Sequence, residues 1–299
     1  MNIQAILLPV IFIFVIYGIL TSVFYLQRKH RKMKGYRSPF TNNFLRSPGE
    51  SLNRQIMDIS YRISEYTVMI LTGPFIFYAI YMSSLYYGNV KYSATDNMIF
   101  IIVGIGFIAY HFFKLITLVN LRRFYRMGYD GEIAVGQELN QLMRDGYYVY
   151  HDFPAKNFNI DHIVVGTSGV FAVETKARSK MPSDNSNIDY KVNYDGNSLH
   201  FPKGRDTKSI QQAKRQAAWL SKWLNNAVGE AVAVRPVLAL PGWYVNRDAF
   251  GDVLVLNDKE CRSIAKVKNG SYLSDQMISR IVHQLEQKCR DVEPKANIG

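Results

Sequence analysis

Three charged side chains sit in two short apolar runs where charge is out of place. Ile160-Asp161-His162-Ile163-Val164-Val165 and Val170-Phe171-Ala172-Val173-Glu174-Thr175-Lys176 flank Gly166-Thr167-Ser168-Gly169, which reads as the turn of a β-hairpin. With Val165 paired to Val170, every cross-strand pair sums to 335 in residue number, and Asp161 faces Glu174. Side chains alternate along a strand, so Glu174 and Lys176 share that face and His162 points to the other. Like charges directly opposite each other are unfavourable unless something lies between them. A divalent cation held by both carboxylates reverses the sign, and hard oxygen ligands suit Mg²⁺ or Mn²⁺ rather than zinc. The competing reading is a structural ion-pair cluster, but one lysine leaves an Asp–Glu pair under-neutralised.

The elements around this hairpin must bring further groups to it. Gly131 to Asp145 reads as an amphipathic helix with the apolar stripe Val135, Leu139, Leu142 and Met143. At about 100° per residue Glu132 lies roughly 35° from the centre of that stripe and Glu138 roughly 85° away. Glu132 therefore points toward the sheet, and Glu138 is flank or solvated surface. Tyr147 to Phe153 reads as a strand. A polar stretch from Ala177 to Gly204 follows, with Asp195-Gly196 as a second hairpin turn. Then come a helix from about Asp206 to Ala227, a strand from Val232 to Leu240, a short strand Val253 to Leu256 and a helix from Ser274 to Cys289. Trp219, Leu220 and Trp223 are core-facing or flanking residues of their helix, not a base-stacking platform. The order is α-β-β-β-α-β, a mixed α/β domain.

Gly131-Glu132 with Val135 and Leu139, then Ile160 to Val165, then Gly169 to Lys176 resemble the NERD (nuclease-related) domain, a branch of the PD-(D/E)xK restriction-endonuclease-like superfamily. Ile210-Gln211-Gln212-Ala213 places Gln212 where that family has a glutamine, although Lys208-Ser209 stands where Asn-Pro often precedes it. The resemblance covers about residues 128 to 245. It implies a restriction-endonuclease-like αβββαβ core and a Mg²⁺- or Mn²⁺-dependent nuclease. Asp161 and Glu174 would hold the metal, with Glu132 as ligand or water-positioning group. Lys176 would activate the attacking water and stabilise charge on the phosphate, and Gln212 would contact the metal-site water or the phosphate. Phosphodiester hydrolysis needs a nucleophilic hydroxide and compensation of the growing negative charge, which a carboxylate-bound metal and an ammonium supply. The alternative is a catalytically silent nucleic-acid-binding or membrane scaffold module that keeps the fold.

The rest of the chain reads as membrane anchor. Ile3–Leu26 is apolar for 24 residues, roughly 36 Å as a helix against a hydrocarbon core of about 30 Å. Its uncharged start and Phe-Tyr-Leu end argue for an uncleaved anchor rather than a signal peptide. Residues 66–88, interrupted by Gly73-Pro74, and 97–120, with a packed His111 and a snorkelling Lys114, are further spans. The loop 27–65 carries nine basic residues against three acidic ones, which places it in the cytoplasm, the N-terminus outside and residues 121–299 as a cytoplasmic domain. Leu52, Ile56, Ile59 and Ile63 at helical spacing suggest a helix on the membrane surface. The expected location is a bacterial inner membrane, multi-pass.

The net charge of +12 divides as +7 over residues 1–120 (eleven basic, four acidic) and +5 over 121–299 (25 and 20), so most of it is topological. Locally, Lys156 to Arg215 holds ten basic and six acidic residues, and Arg178, Lys180, Lys191, Lys203 and Arg205 follow the Glu174 strand. That favours nucleic acid as partner beside the lipid bilayer, with DNA ahead of RNA. No Gly-rich loop with Gly-Lys-Ser/Thr occurs, so translocation would need a separate protein, and a homo-oligomer stays open. Apolar content of 48% excludes a disordered chain, and Cys261 and Cys289 alone exclude a disulfide or zinc-finger framework and suggest a reducing compartment.

Overall fold

The computed structural model describes residues 3–33, 39–87, 91–180, 190–267, 269–270 and 272–294. Parts of the basic loop (34–38), of the polar stretch (181–189) and of the C-terminal tail (295–299) lie outside the described residues. The chain divides into two compact units, Met1–Thr41 with Ile56–Arg123 and Lys295–Gly299, and Asn42–Gln55 with Phe124–Pro294. The second unit therefore recruits fourteen residues from the loop expected to belong to the anchor.

Three long helices account for most of the first unit: α1 (Ile3–Met33), α2 (Glu50–Tyr87) and α3 (Ala94–Asn140). Two of them, α2 and α3, are long and apolar enough to cross a membrane, whereas α1 adds a shorter apolar stretch, Val15–Gln27, among the described residues. Three transmembrane helices are thus not shown. The amphipathic stretch 52–63 is not a separate surface helix. It forms the first turns of α2, and Ile56 and Ile59 are buried. Pro74 lies inside α2 without ending it. His111 Nδ1 bonds the Phe107 carbonyl oxygen at 2.8 Å, the satisfied histidine expected. The helix expected at residue 131 likewise has no start of its own: it is the last part of α3.

The second unit is mixed α/β, as expected, but three short strands separate its third strand from the next helix. After α3 the chain tightens into a 3₁₀ turn, Gln141–Asp145, closed by Gly146 at φ 82°. A 3₁₀ turn advances about 120° per residue rather than 100°, which swings Met143 out to solvent at 54% exposure while Leu142 stays buried. Met143 is the one member of the expected stripe that misses the core. β1 (Tyr148–Pro154), β2 (Asn159–Gly166) and β3 (Gly169–Thr175) form an antiparallel meander. β2 and β3 pair in the expected register, Val165 with Val170. The connection is two residues, with Gly169 at φ 128° and Gly166 against the Tyr147 ring, where a Cβ would lie 2.3 Å from ring carbons.

α4 (Lys208–Val228) then leads to β7 (Val234–Ala239), parallel to β3, and β9 (Leu254–Leu256) extends the sheet to the order β1-β2-β3-β7-β9. One face carries Ile163, Val165, Val170 and Ala172 under Leu220 and Leu224 of α4 and Ile281 and Leu285 of α5 (Asp275–Cys289). Trp219 and Trp223 flank this core as expected. The other face carries Val164, Phe171 and Val173 under Val135, Leu139 and Leu142, with Cys261 and Ile264 from a second 3₁₀ helix, Asp258–Lys266. Both cysteines are free and buried.

Local patterning leaves one substructure unannounced. β4 (Lys191–Tyr194), β5 (Leu199–Phe201), β6 (Gly204–Asp206) and β8 (Tyr244–Arg247) make a second sheet in the order β6-β5-β4-β8. The Asp195-Gly196 turn joins β4 to β5 as expected, with Gly196 at φ 91°. Val192, Tyr194, Leu199 and Phe201 face Ile210, Ala213, Leu238 and Trp243. Strands of three and four residues carry too little alternation to stand out from a polar stretch.

Candidate active site

Glu174 is at the end of β3, 3% exposed, on the face covered by α4. Two consecutive turns of that helix grip it. Gln212 Nε2 donates to Oε1 at 2.7 Å and Gln216 Nε2 to Oε2 at 2.6 Å. Gln216 also donates to the Asn159 carbonyl at 3.2 Å, which ties the start of β2 to the same amide. Gln216 is absent from the expected site, yet its spacing of four from Gln212 puts both on one helix face. Burial dominates and pushes the Glu174 carboxyl up to about 7, against the one bond from Gln216 and the Lys176 charge, which favour the carboxylate.

Asp161 sits where the β2–β3 ladder runs out. Backbone pairing stops at His162 with Val173, and Asp161 Oδ2 takes the Thr175 N–H at 2.6 Å in place of a backbone carbonyl. The register brings Asp161 and Glu174 to the same level without making them a backbone pair. Burial first, then the Glu174 and Glu132 charges, hold Asp161 well above its ordinary value.

Glu132 arrives from the opposite face, on the part of α3 that packs over Val164, Phe171 and Val173. It is 8% exposed and Oε2 has no partner among the described residues. Burial, Asp152 and Glu174 push it up to about 8, against one backbone N–H from Gly49 that favours the charge. Lys176 is half-buried, its backbone N–H held by the Ala239 carbonyl at 2.8 Å, and its ammonium charge acts on both Glu174 and Asp206.

A fourth carboxylate lies at the same level of the sheet. Pairs between β1 and β2 include His151 with His162 and Phe153 with Ile160, which sets Asp152 opposite Asp161, but the ladder skips that pair. Asp152 has φ 49°, a left-handed backbone that a non-glycine residue adopts at a cost of about 1–2 kcal/mol. The twist turns its side chain away, to Arg46 Nη1 at 2.9 Å, Ser51 N–H at 3.0 Å, Ser51 Oγ at 2.6 Å and Asn159 Nδ2 at 3.0 Å. Arg46 in turn forks onto Asp291 with two bonds of 2.7 Å. Residues 44–51 thus belong to the site: Gly49 packs on the Tyr129 ring and bonds Glu132, and Pro48 packs on Gly136.

Beside the carboxylates, His162 Nδ1 lies 2.9 Å from His151 Nδ1, and His151 Nε2 lies 3.0 Å from Asn140 Oδ1. Burial lowers both histidines, His151 to about 4, so the pair is neutral. His162 thus lies on the face away from Asp161, as strand parity predicts, and bonds His151 there.

The carboxylate oxygens of this site are of the type that suits a hard divalent cation rather than zinc. Glu132 and Glu174 are buried and Asp161 is half-buried, with one nearby ammonium, and Glu132 Oε2, Thr175 Oγ1 and His162 Nε2 lack partners among the described residues. Among the described residues no group of three or more His, Cys, Asp or Glu is arranged to hold a metal ion.

No curated protein and no solved structure matches the chain. Residues 127–241, the stretch from Glu132 through α4 and β7, match the model of the NERD family, so the chain carries a nuclease-related domain.

Proposed function

We propose that the chain is a membrane-anchored nuclease of the PD-(D/E)xK type, hydrolysing nucleic-acid phosphodiester bonds with Mg²⁺ or Mn²⁺ on the cytoplasmic side of a bacterial inner membrane. The observation that carries the reading is the under-neutralised set of half-buried Asp161 and buried Glu174 and Glu132 beside Lys176 within the matched domain. Asp161 and Glu174 would hold the cation, which lowers the pKa of a bound water and offsets charge on the phosphate. Gln212 and Gln216 fix the Glu174 carboxylate by its two oxygens, so its position does not depend on the cation. Lys176 places an ammonium beside that carboxylate to meet a phosphate oxygen. Glu132, raised to about 8 by burial and its neighbours, can hold a proton near neutral pH or take one from water.

One observation favours a second reading, a silent nucleic-acid-binding module: Asp161 spends an oxygen on the Thr175 backbone, which gives it a structural task. The full-length protein in detergent, with Mg²⁺ or Mn²⁺ and duplex DNA, single-stranded DNA or RNA, decides between them. Cleavage lost in both Asp161→Asn and Lys176→Met supports the nuclease. Cleavage unchanged in both variants, or absent on every substrate with either metal, leaves the binding module. A reporter fused behind residue 299 tests the cytoplasmic placement.

A further inference from the structure

Two segments far apart in sequence lay cations side by side next to the carboxylates. Beyond β3 the chain carries Lys176, Arg178 and Lys180, and around β6 it carries Lys203, Arg205 and Lys208. All but the half-buried Lys176 are exposed. The Arg178 guanidinium lies 4.2 Å from the Phe201 ring centre and donates to the Lys203 carbonyl at 3.3 Å. The Lys180 ammonium lies 5.9 Å from the Trp243 ring centre, and Trp243 Nε1 donates to the Arg178 carbonyl at 3.2 Å. These contacts hold residues 178–180 against Phe201 of β5, the Lys203 carbonyl and Trp243, which brings the two rows together as one ridge. Gly204, at φ 114°, makes the turn that sets Lys203 beside Arg178.

The protein supplies this ridge with little counter-charge. Among the described residues only Arg205 meets a carboxylate, Asp195 at 3.9 Å, and Asp195 is also engaged by His200 at 2.7 Å. The aromatic rings beneath are 7% exposed at Phe201 and 4% at Trp243, too enclosed to stack on a base. Their role is to hold the cations. At its inner end Lys176 acts on Glu174 and on Asp206 at the close of β6, so the ridge runs out from the carboxylate site.

We propose that Arg178, Lys180, Lys203, Arg205 and Lys208 are the track for a nucleic-acid phosphate backbone, engaged through charge and without base stacking. The occupant follows from charge complementarity: exposed cations with few partners, in a row ending at a phosphodiester-hydrolysis site, match a polyanion. The inference rests on the proposed nuclease function for its direction and is tested apart from it.

Binding of a fluorescent duplex to the full chain in neutral detergent, without divalent metal, is followed by anisotropy across a salt series. Lys180→Gln/Lys203→Gln/Lys208→Gln removes three exposed cations that have no acidic partner among the described residues. Lys259→Gln/Arg262→Gln/Lys266→Gln removes the same charge from the second 3₁₀ helix. Each lost phosphate contact lowers the slope of log affinity against log salt by about 1, so the first triple is expected to lower it by about 3 and the second to leave it in place. Equal losses in both triples, loss in neither, or loss of anionic-vesicle binding in place of nucleic-acid binding overturns the ridge. Cleavage with Mn²⁺ is read in parallel. Ridge-dependent binding without cleavage sinks the nuclease and keeps the ridge, whereas cleavage with an unchanged first triple sinks the ridge alone.

Discussion

Arg46→Met tests whether the loop before α2 is part of the nuclease-related unit. The Arg46–Asp152 pair is largely enclosed, with side-chain exposures of 10% and 2%, so solvent screening weakens it little. Removing one partner of such a pair costs about 3–5 kcal/mol, because a charge stays buried without compensation. Asp152 keeps the two bonds from Ser51 and one from Asn159, which places the loss near the lower end. The Asp291 contact adds little, since Asp291 is 42% exposed. For a unit of this size about 1 kcal/mol corresponds to about 2–4 °C, so a fall of roughly 6–12 °C in melting temperature is expected. All three tryptophans, Trp219, Trp223 and Trp243, lie in this unit, so their fluorescence in the full-length protein reports its unfolding alone.

The pH dependence of the same variant follows from Asp152. Burial raises its pKa above the ordinary 3.8, so the ionised form opposes folding above the raised value, and the penalty vanishes as pH falls toward 3.8. Without Arg46 that penalty grows. The deficit of Arg46→Met is therefore expected to be larger at pH 8 than at pH 5, and Asp152→Asn introduced beside it should recover part of the loss. A shift below about 2 °C against the expected range, or one of equal size at both pH values, refutes the reasoning.

Three further outcomes are expected. Glu132→Gln removes a carboxylate raised to about 8, so it should stabilise the metal-free protein at pH 9, where Glu132 is ionised, and have little effect at pH 6, as read by the same fluorescence melts. Because Glu174 at about 7 and Glu132 at about 8 hold protons above the ordinary carboxylate range, the metal-free unit loses stability as pH rises through that window. Under the proposed metal-dependent function, Mn²⁺ displaces those protons, so at a hundred times its dissociation constant it should add about 2.7 kcal/mol, with tighter binding at pH 8.5 than at pH 6 by calorimetry; a pH-independent affinity contradicts the proposed site. Gly251→Ala sets a Cβ 2.2 Å from the Gly196 carbonyl oxygen and 2.3 Å from the Tyr194 hydroxyl, and should cost about 1–3 kcal/mol in the second sheet by denaturant melts.

The candidate site was legible where its signals are local. Turn chemistry and strand alternation act over a few residues, so the pairing of Val165 with Val170 and the shared level of Asp161 and Glu174 follow from the hairpin itself. Helical periodicity likewise turns Glu132 inward and gives α4 its packed face. Gln216 was open to the same logic, four residues after Gln212, but an amide on a helix has no meaning until its partner is known. Met143 failed because the last turn changed from α to 3₁₀ geometry, which its own residues do not announce.

What the sequence alone determined is the order of elements, the hairpin register and the identity of the groups that meet at its end, all set by short-range periodicity and turn preference. The tertiary structure decided which distant segments complete the site. Arg46 reaches Asp152 across 106 positions and Asp291 across 245, and neither partner is marked in a window of a few residues. It also made α2 begin, and α3 end, within the second unit, which starts at Phe124 on α3 and adds Asn42–Gln55. The physical reason is burial: Asp152 and Glu132 sit away from water and need compensation from whatever the folded chain brings near, and closure of the chain, not local pattern, chose Arg46, Ser51 and Gly49.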